Sequence, residues 1–328
     1  MRFAFTDEQQ ELARVTREIL TRECPPTAVR KAWTDDHLPA WSALTAAGIV
    51  NMTAPERFGG AGANELDLAL VLEEAGRAAL PGPLAAHTAV AIPLVAETCD
   101  DATCDRLLGG LLVVQLEGMP FVESAHRART ILVEKHGELH AIDPRDATIE
   151  MQRSVDRARK LATVTSRKTT LLSSDREALR RAHDRAAFAA AAELTGLARA
   201  MIERTVEYVT IRKQFGRAVG SFQAVKHMLA EAHVAVELAR PCVHRAAYAL
   251  AHREPDAPRD VSLAKALASD AAHLAAKTAL QCHGAIGYSF EYDLHLWMKR
   301  AWALAAAHGS AADHRTRLAH LLLGEAHV

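Results

Sequence analysis

The fold of this chain is decided by the segment IRKQFGRAVGSFQAVKH, residues 211–227, which begins at the end of a long helical stretch. Arg212 offers a permanent cation with several donors, a group well suited to hold a pyrophosphate. Phe215 offers a flat apolar surface, and the amide of Gln223 can both donate and accept hydrogen bonds. An adenine or a flavin edge needs these properties, so the segment predicts contact with a dinucleotide.

A second segment, QCHGAIGY, residues 281–288, supplies matching groups further along the chain. Gln281 is another amide, and the small residues Gly284 and Ala285 allow a ligand to approach the backbone closely. Each feature taken singly is more often structural, since an arginine at a helix end usually compensates the helix dipole and a glycine usually forms a turn. Taken jointly and in this order, the two segments favour dinucleotide binding.

Composition excludes several classes of protein. The chain has 328 residues, 49% of them hydrophobic and 24% charged, with a formal net charge of −1. A chain of this kind has no field that would hold nucleic acid or an anionic membrane. The five cysteines are odd in number and form no CxxC pair, which favours a reducing compartment over disulfides or a metal site. The N-terminus does not resemble a signal peptide, and no long uncharged apolar run is present, so we expect a cytoplasmic protein.

Hydropathy patterning divides the chain into three parts. Residues 1–105 are predicted to be helical, and Thr6 to Gln9 have the form of a capping box. Residues 106–174 are predicted to form a small β domain, because turn residues separate four short β-like runs, Leu111–Leu116, Thr130–Glu134, Leu139–Ile142 and Leu161–Ser166. In residues 175–328 the apolar residues recur with a period of 3.6, which predicts long packed helices. Pro241 is expected to kink one of these helices or to mark its restart. The predicted fold class is mostly α with a small middle β domain.

These parts and motifs resemble the acyl-CoA dehydrogenase family over nearly the whole chain. The resemblance is seen in FTDEQQEL, APERFGGAGANELDLALVLEEAGR, IRKQFG followed by FQAVKH, and QCHGAIGYSFEYDLHLWMKRA. It implies an N-terminal helical domain, a middle β domain and a C-terminal four-helix bundle. It also implies FAD as the cofactor, an acyl-CoA thioester as the substrate and an electron-transfer flavoprotein as the electron acceptor. No metal is implied.

In that family the two C-terminal motifs grip the FAD of the neighbouring subunit. By resemblance, Arg212, Phe215, Gln223, Gln281 and the Gly284-Ala285 pair would form this clamp, although the family commonly has a second glycine where Ala285 stands. The other half of the family's site is missing. The Thr-Glu-Pro-Gly-Ser-Asp-like loop is replaced by residues 115–120, QLEGMP, and all four tryptophans lie outside the β domain.

The family's usual position for the catalytic base holds no carboxylate here, because residues 307–310, AHGS, replace the Tyr-Glu-Gly-Thr stretch. Some branches of the family place the base before the clamp, ahead of an arginine. That pattern makes Asp184 a candidate base and Arg185 a candidate for shaping the substrate cavity. A role for Asp184 in compensating a helix dipole is the alternative. His308 and Glu193 are further candidates, and Glu193 could equally be a surface residue.

The resemblance favours a short subunit of a heteromeric acyl-CoA dehydrogenase. Such an α2β2 assembly, known in actinobacterial breakdown of steroid side chains, would pair this chain with a full-length subunit that holds the flavin and the base. The substrate would be the CoA thioester of a bulky acid. Two alternatives remain open: a self-sufficient homo-oligomer that uses Asp184, and a scaffold subunit that binds no flavin.

Overall fold

Helices form the first part of the computed structural model, which describes residues 4–324. The predicted capping box is present, since the hydroxyl of Thr6 accepts from the backbone N–H of Gln9 and the Gln9 side chain accepts from the N–H of Thr6. The helices are α1 (Asp7–Glu23), α2 (Pro26–Thr34), α3 (Trp41–Ala46), α4 (Glu65–Arg77), α5 (Ile92–Thr98) and α6 (Asp101–Leu108). A π-helical segment, Ala85–Ala91, precedes α5.

Two small sheets follow. Their strands are β1 (Leu112–Gln115), β2 (Val122–Glu123), β3 (Thr130–Lys135), β4 (Glu138–Ile142), β5 (Ala147–Gln152), β6 (Leu161–Ser166) and β7 (Thr170–Ser173). The first sheet has the order β1-β3-β4-β7, with β1 parallel to β3, and the second has the order β2-β6-β5. Buried apolar residues of both sheets, including Val113 and Ala162, form one small core. The sequence predicted β1, β3, β4 and β6 but not the other three strands.

Long helices dominate the remainder of the described chain. The elements are α7 (Arg176–Ile211), β8 (Lys213–Gln214), β9 (Arg217–Ala218), α8 (Gln223–Ala251), α9 (Ala257–His283), α10 (Leu294–Ala306) and α11 (Ala311–Leu323). Helix α8 is continuous through Pro241 and does not restart there. The predicted fold class, mostly α with a small middle β domain, is confirmed. Among residues 4–324, none of the helices is both long and apolar enough to cross a membrane.

Helix α7 is the axis of the molecule, because α4, α8, α9 and α10 all pack against it. Its 36 residues span about 54 Å. The crossing with α4 is a backbone contact: a Cβ added at Gly196 would lie 1.9 Å from the carbonyl oxygen of Glu73, and one added at Gly76 would lie 2.0 Å from that of Glu193. Glycine is therefore required on both helices at this crossing.

A buried arginine joins the three parts of the chain. Arg300 of α10 is 4% exposed. Its Nε donates to the carboxylate of Asp156, in the segment before β6, and its Nη1 donates to the carbonyl oxygen of Leu80 at 2.5 Å. Since a buried charge is stable only when it is paired and hydrogen-bonded, this contact fixes the sheets and the first helices against the bundle.

Candidate functional site

The first motif folds into a tight hairpin at the end of α7. Strands β8 and β9 pair across a two-residue turn, in which Phe215 has φ 52° and Gly216 has φ 78°. Two positive φ values are the signature of a type I′ turn, which matches the twist of paired strands. Phe215 is consequently placed at the tip with 92% of its surface exposed, and its ring meets the edge of Phe222 at 6.2 Å.

Arg212 and the start of α8 lie at the base of this hairpin. Arg212 directly follows α7, is exposed, and forms no ion pair within residues 4–324. Helix α8 begins at Gln223, and the side chain of the preceding residue, Phe222, has no polar atom that could cap the free N–H groups. An unpaired guanidinium beside an uncapped helix N-terminus suits an anion such as a pyrophosphate.

An aromatic stack brings the second motif to the first. His283, at the end of α9, stacks on Tyr208 with ring centroids 4.3 Å apart, and Tyr208 lies one helical turn before Arg212. The Nε2 of His283 is 3.1 Å from the hydroxyl of Tyr292, and its Nδ1 is 2.7 Å from the carbonyl oxygen of Ala279. Burial lowers the pKa of His283 from its ordinary 6.5, which favours the neutral form of the ring in this stack. No sequence pattern singles out these rings, because their contact spans separate helices.

The second motif itself is an exposed loop. After α9 the chain turns at Gly284, whose φ of 63° and ψ of −141° suit only glycine. Gln281 and Ala285 are exposed, and Tyr288 has 75% of its surface accessible. At the far end of the loop, the Nε of Arg30 donates to Asp293 at 2.6 Å, which attaches the loop to α2.

The six predicted clamp residues therefore form a surface and not a pocket. All of them are exposed, and they lie on two segments held together by the aromatic stack. A cation, a helix N-terminus, an exposed aromatic ring and two amides fit an extended dinucleotide on one side only. The described residues contain no cluster of His, Cys, Asp and Glu that could hold a metal ion.

A separate cavity of about 60 Å³ lies between the π-helical segment, β1 and α7. Glu193 lines it with 8% of its surface exposed and makes no hydrogen bond or ion pair within residues 4–324. Burial raises the pKa of this carboxyl to about 7. His308, which follows α10 with φ 55°, lines the same cavity, and burial beside the cations Arg159 and Lys265 lowers the pKa of its ring to about 3.

Asp184 does not line this cavity. It lies in the third turn of α7, 4% exposed, and its Oδ1 accepts from the Nη1 of Arg317 of α11 at 2.5 Å. The N-terminal end of α7 is instead capped by Asp175. The structure therefore gives Asp184 an ion pair between two helices in place of the helix-dipole role considered from sequence, and its role as a base stays a prediction.

Arg185 faces a different side of α7. Its Nε donates to Glu65 and its Nη2 donates to Glu97, both at 2.6 Å. The residue is 6% exposed and lines a cavity of about 230 Å³ between the first helices and the end of α8. Neither Asp184 nor Glu193 lines that cavity. The structure therefore does not bring Asp184 and Arg185, the predicted base and its neighbouring arginine, to one site.

Comparison with known proteins agrees with this architecture. Residues 6–114 match the acyl-CoA dehydrogenase N-terminal domain, and residues 177–323 match the acyl-CoA dehydrogenase C-terminal domain. The acyl-CoA dehydrogenase IpdE2 of Mycobacterium tuberculosis is 33% identical over 311 residues, which cover 93% of this chain and 92% of that protein.

Solved structures share the fold over almost the full length. The steroid acyl-CoA dehydrogenase Tcur3481-Tcur3483, as its G363A variant, gives a TM-score of 0.90 at 25% identity and covers 98% of this chain and 99% of that one. The ChsE4-ChsE5 complex from Mycobacterium tuberculosis gives 0.88 at 21% identity, with coverage of 98% and 99%. With two family domains matched in order and a relative aligned over nearly its whole length, this chain belongs to the acyl-CoA dehydrogenase family, oxidoreductases that act on acyl-CoA.

Proposed function

We propose that this chain is the FAD-clamping subunit of a heteromeric acyl-CoA dehydrogenase. The proposed complex is an α2β2 assembly with a full-length partner subunit. The observation that carries the proposal is the exposure of all six clamp residues, Phe215 above all at 92%. A ring of this size is stable in water only at a thermodynamic cost, and a second chain with its bound cofactor would cover it.

The chain's own residues would act on the remote half of the cofactor. FAD, when bound, supplies the acceptor for the hydride that leaves the β carbon of the acyl thioester. Arg212 and the N-terminus of α8 would hold the pyrophosphate, and Phe215 would cover an apolar face of the dinucleotide. Gln223 and Gln281 would hydrogen-bond ring edges, while the backbone at Gly284 and Ala285 would permit close approach. The partner would carry the base.

A bulky acyl group, of the steroid side-chain type, is the proposed substrate class. Support comes from the neighbours described as a steroid acyl-CoA dehydrogenase and as a two-chain ChsE4-ChsE5 complex. The alanine-rich segment of α7 between Ala186 and Ala192 agrees with it, because small side chains leave a smooth wall. An electron-transfer flavoprotein would reoxidise the cofactor, as in other family members.

Absorption spectra test the assembly directly. The chain would be purified alone and after co-expression with a full-length acyl-CoA dehydrogenase encoded beside it. We expect a colourless, inactive preparation alone and a yellow complex with about one FAD per heterodimer, since each clamp supplies half a site. A fully flavinylated, active homo-oligomer would contradict the proposal in favour of the self-sufficient enzyme. A stable complex that stays colourless would contradict it in favour of the scaffold subunit.

A further inference from the structure

We propose that a cavity of about 210 Å³ beside Trp297 is an anion site of this chain, which takes a small monocarboxylate with an apolar body. The cavity lies between the end of α1, the start of α2, the end of α4, and the facing sides of α7 and α10. Its lining within residues 4–324 includes neither Glu193 nor any of the six clamp residues. Arg204, which lines it, precedes Arg212 by eight residues on α7, or about 12 Å along the helix axis. The inference therefore requires neither bound FAD nor a partner chain.

Arg204 supplies the groups that would bind the anion. The central carbon of its guanidinium lies 3.7 Å from the centroid of the Trp297 ring. So short a separation requires the two planes to stack, because an N–H group pointed at the ring would hold that carbon farther away. Stacking uses the face of the guanidinium and leaves its N–H groups free at the edge, where a carboxylate can accept two of them side by side.

Arg204 has no counter-ion of its own. The side chain is partly buried and forms neither a hydrogen bond nor an ion pair within residues 4–324. Burial is the largest cause of its lowered pKa, and the charges of Asp293 and Glu207 oppose that shift from outside ion-pairing distance. Asp293 is already paired with Arg30 at 2.6 Å. A partly desolvated cation without a counter-ion costs free energy, and a bound anion would remove that cost.

The other charges of the cavity are paired, which selects an anion with a single charge. Arg17 donates to Glu74 through contacts of 2.6 Å and 2.9 Å, and Arg77 donates to Glu203 at 2.8 Å. In the described part of the chain, Arg204 is consequently the one lining residue with an uncompensated charge. Helix α2 also begins at this cavity without a side-chain cap, so the positive end of its dipole adds to that charge. A dianion would bring one negative charge too many.

The rest of the lining fits a compact apolar body. It consists of Leu20, Cys24, Pro25, Pro26, Ala78 and Trp297, with Thr21 as a neutral polar neighbour. Burial raises the pKa of the Cys24 thiol to about 12, so this group adds no charge. The volume far exceeds the space that one water needs but lies below the roughly 300 Å³ at which pockets for drug-sized ligands begin. The cavity therefore suits a single-ring acid and excludes a nucleotide or a whole acyl-CoA.

Three probes test the charge and the apolar body on the purified full-length chain. Benzoate carries both, benzamide keeps the ring but is neutral, and inorganic phosphate keeps a charge but has no ring. Benzoate and benzamide would be titrated at about pH 7 and low salt by ligand-observed NMR, with phosphate added as a competitor of benzoate. We expect saturable binding of benzoate, at least about tenfold tighter than that of benzamide, and displacement by phosphate only in about tenfold or greater excess.

Three outcomes of these titrations would overturn the proposal. Benzoate that does not saturate would remove the site. Benzamide that binds as tightly as benzoate would show that the charge of Arg204 is not used. Phosphate that displaces benzoate at equal concentration would show that the apolar lining is not used, and that the site takes any small anion.

Variants of Arg204 assign the binding to this cavity. Arg204→Gln removes the charge and should weaken benzoate binding by about 10- to 100-fold, with little effect on benzamide. Arg204→Lys keeps the charge but loses the paired N–H groups and the stacking, so its affinity for benzoate should fall between those of the natural chain and the glutamine variant. The matched control, Arg22→Gln, removes an exposed arginine of α1 that pairs with Glu23 outside the cavity, and should leave benzoate binding unchanged.

An unchanged affinity for benzoate in Arg204→Gln, or an equal loss in the control, would refute the role of Arg204. If the glutamine variant does not fold, the lysine variant decides, because full benzoate affinity in that variant would equally refute the paired contact.

Discussion

The burial of Glu193 should make the stability of the chain fall as pH rises, and Glu193→Gln should remove that dependence. The pKa of the carboxyl is raised from its ordinary 4.5 to about 7 in the folded chain. The folded state therefore binds the proton more tightly than the unfolded state does. This contribution to stability is fully present below pH 4.5 and is lost as pH rises through about 7.

The magnitude follows from the two pKa values. At 1.36 kcal/mol for each pH unit, the free energy of unfolding of the natural chain should fall by about 2.5 kcal/mol relative to that of Glu193→Gln between pH 5 and pH 8. Because Glu193 is 8% exposed, solvent screening reduces this value little.

The assay is urea unfolding of the natural chain and of Glu193→Gln at several pH values. The difference between their free energies of unfolding at each pH removes the contribution of every other titrating group. Glu193→Leu should give the same pH-dependent difference as the glutamine variant, because both remove the titrating group. A difference that stays constant from pH 5 to pH 8 would refute the reasoning, since it would mean that the carboxyl is ionised at all these pH values.

Three further substitutions test the clamp, the ion pair and the helix crossing. Arg212→Ala should lower FAD affinity in the heteromeric complex by about 10- to 100-fold, measured by flavin fluorescence, because it removes a charge-assisted contact to the pyrophosphate. Asp184→Asn should lower stability by about 1–2 kcal/mol in urea unfolding, since it leaves the half-exposed Arg317 unpaired, and should change kcat less than tenfold. Gly196→Ala should lower stability by more than about 3 kcal/mol, because the new Cβ would lie 1.9 Å from a carbonyl oxygen of α4.

Matched control variants distinguish these specific effects from a general loss of stability or cofactor binding. Arg22→Ala removes an exposed arginine of α1 and should leave FAD affinity unchanged. Gly109→Ala introduces a Cβ with no atom nearer than 3.8 Å and should be close to neutral. A loss of turnover of 10²-fold or more in Asp184→Asn, with flavin content and fold intact, would show that this chain carries the base. An unchanged flavin content after dialysis of Arg212→Ala would count against the clamp.

Much of the fold could be predicted from the sequence, because its signals are local. The capping box at Thr6 contains both hydrogen-bonding partners within four residues. In the C-terminal part, the spacing of the apolar residues predicts which face of each helix is buried, because the apolar side of an amphipathic helix faces the core. Pro241 does not restart the helix, since α8 is continuous from Gln223 to Ala251, and the alternative of a kink stays a prediction. Strands β2 and β7 were not predicted because they have only two and four residues. Strand β5 carries an alternating pattern, ATIEMQ, that could have predicted it.

By itself, the sequence determined the fold class and the order of the three parts of the chain, because periodicity, turns and helix ends are encoded by neighbouring residues, whereas the clamp residues stay a prediction that rests on resemblance. The tertiary structure decided which side chains meet. It joined His283 to Tyr208 across two helices, paired Asp184 with Arg317, and enclosed Glu193 in a cavity. These contacts join residues that are 75 positions apart for Tyr208 and His283 and 133 positions apart for Asp184 and Arg317. No local pattern records such long-range contacts, which set the pKa and the chemistry of a side chain.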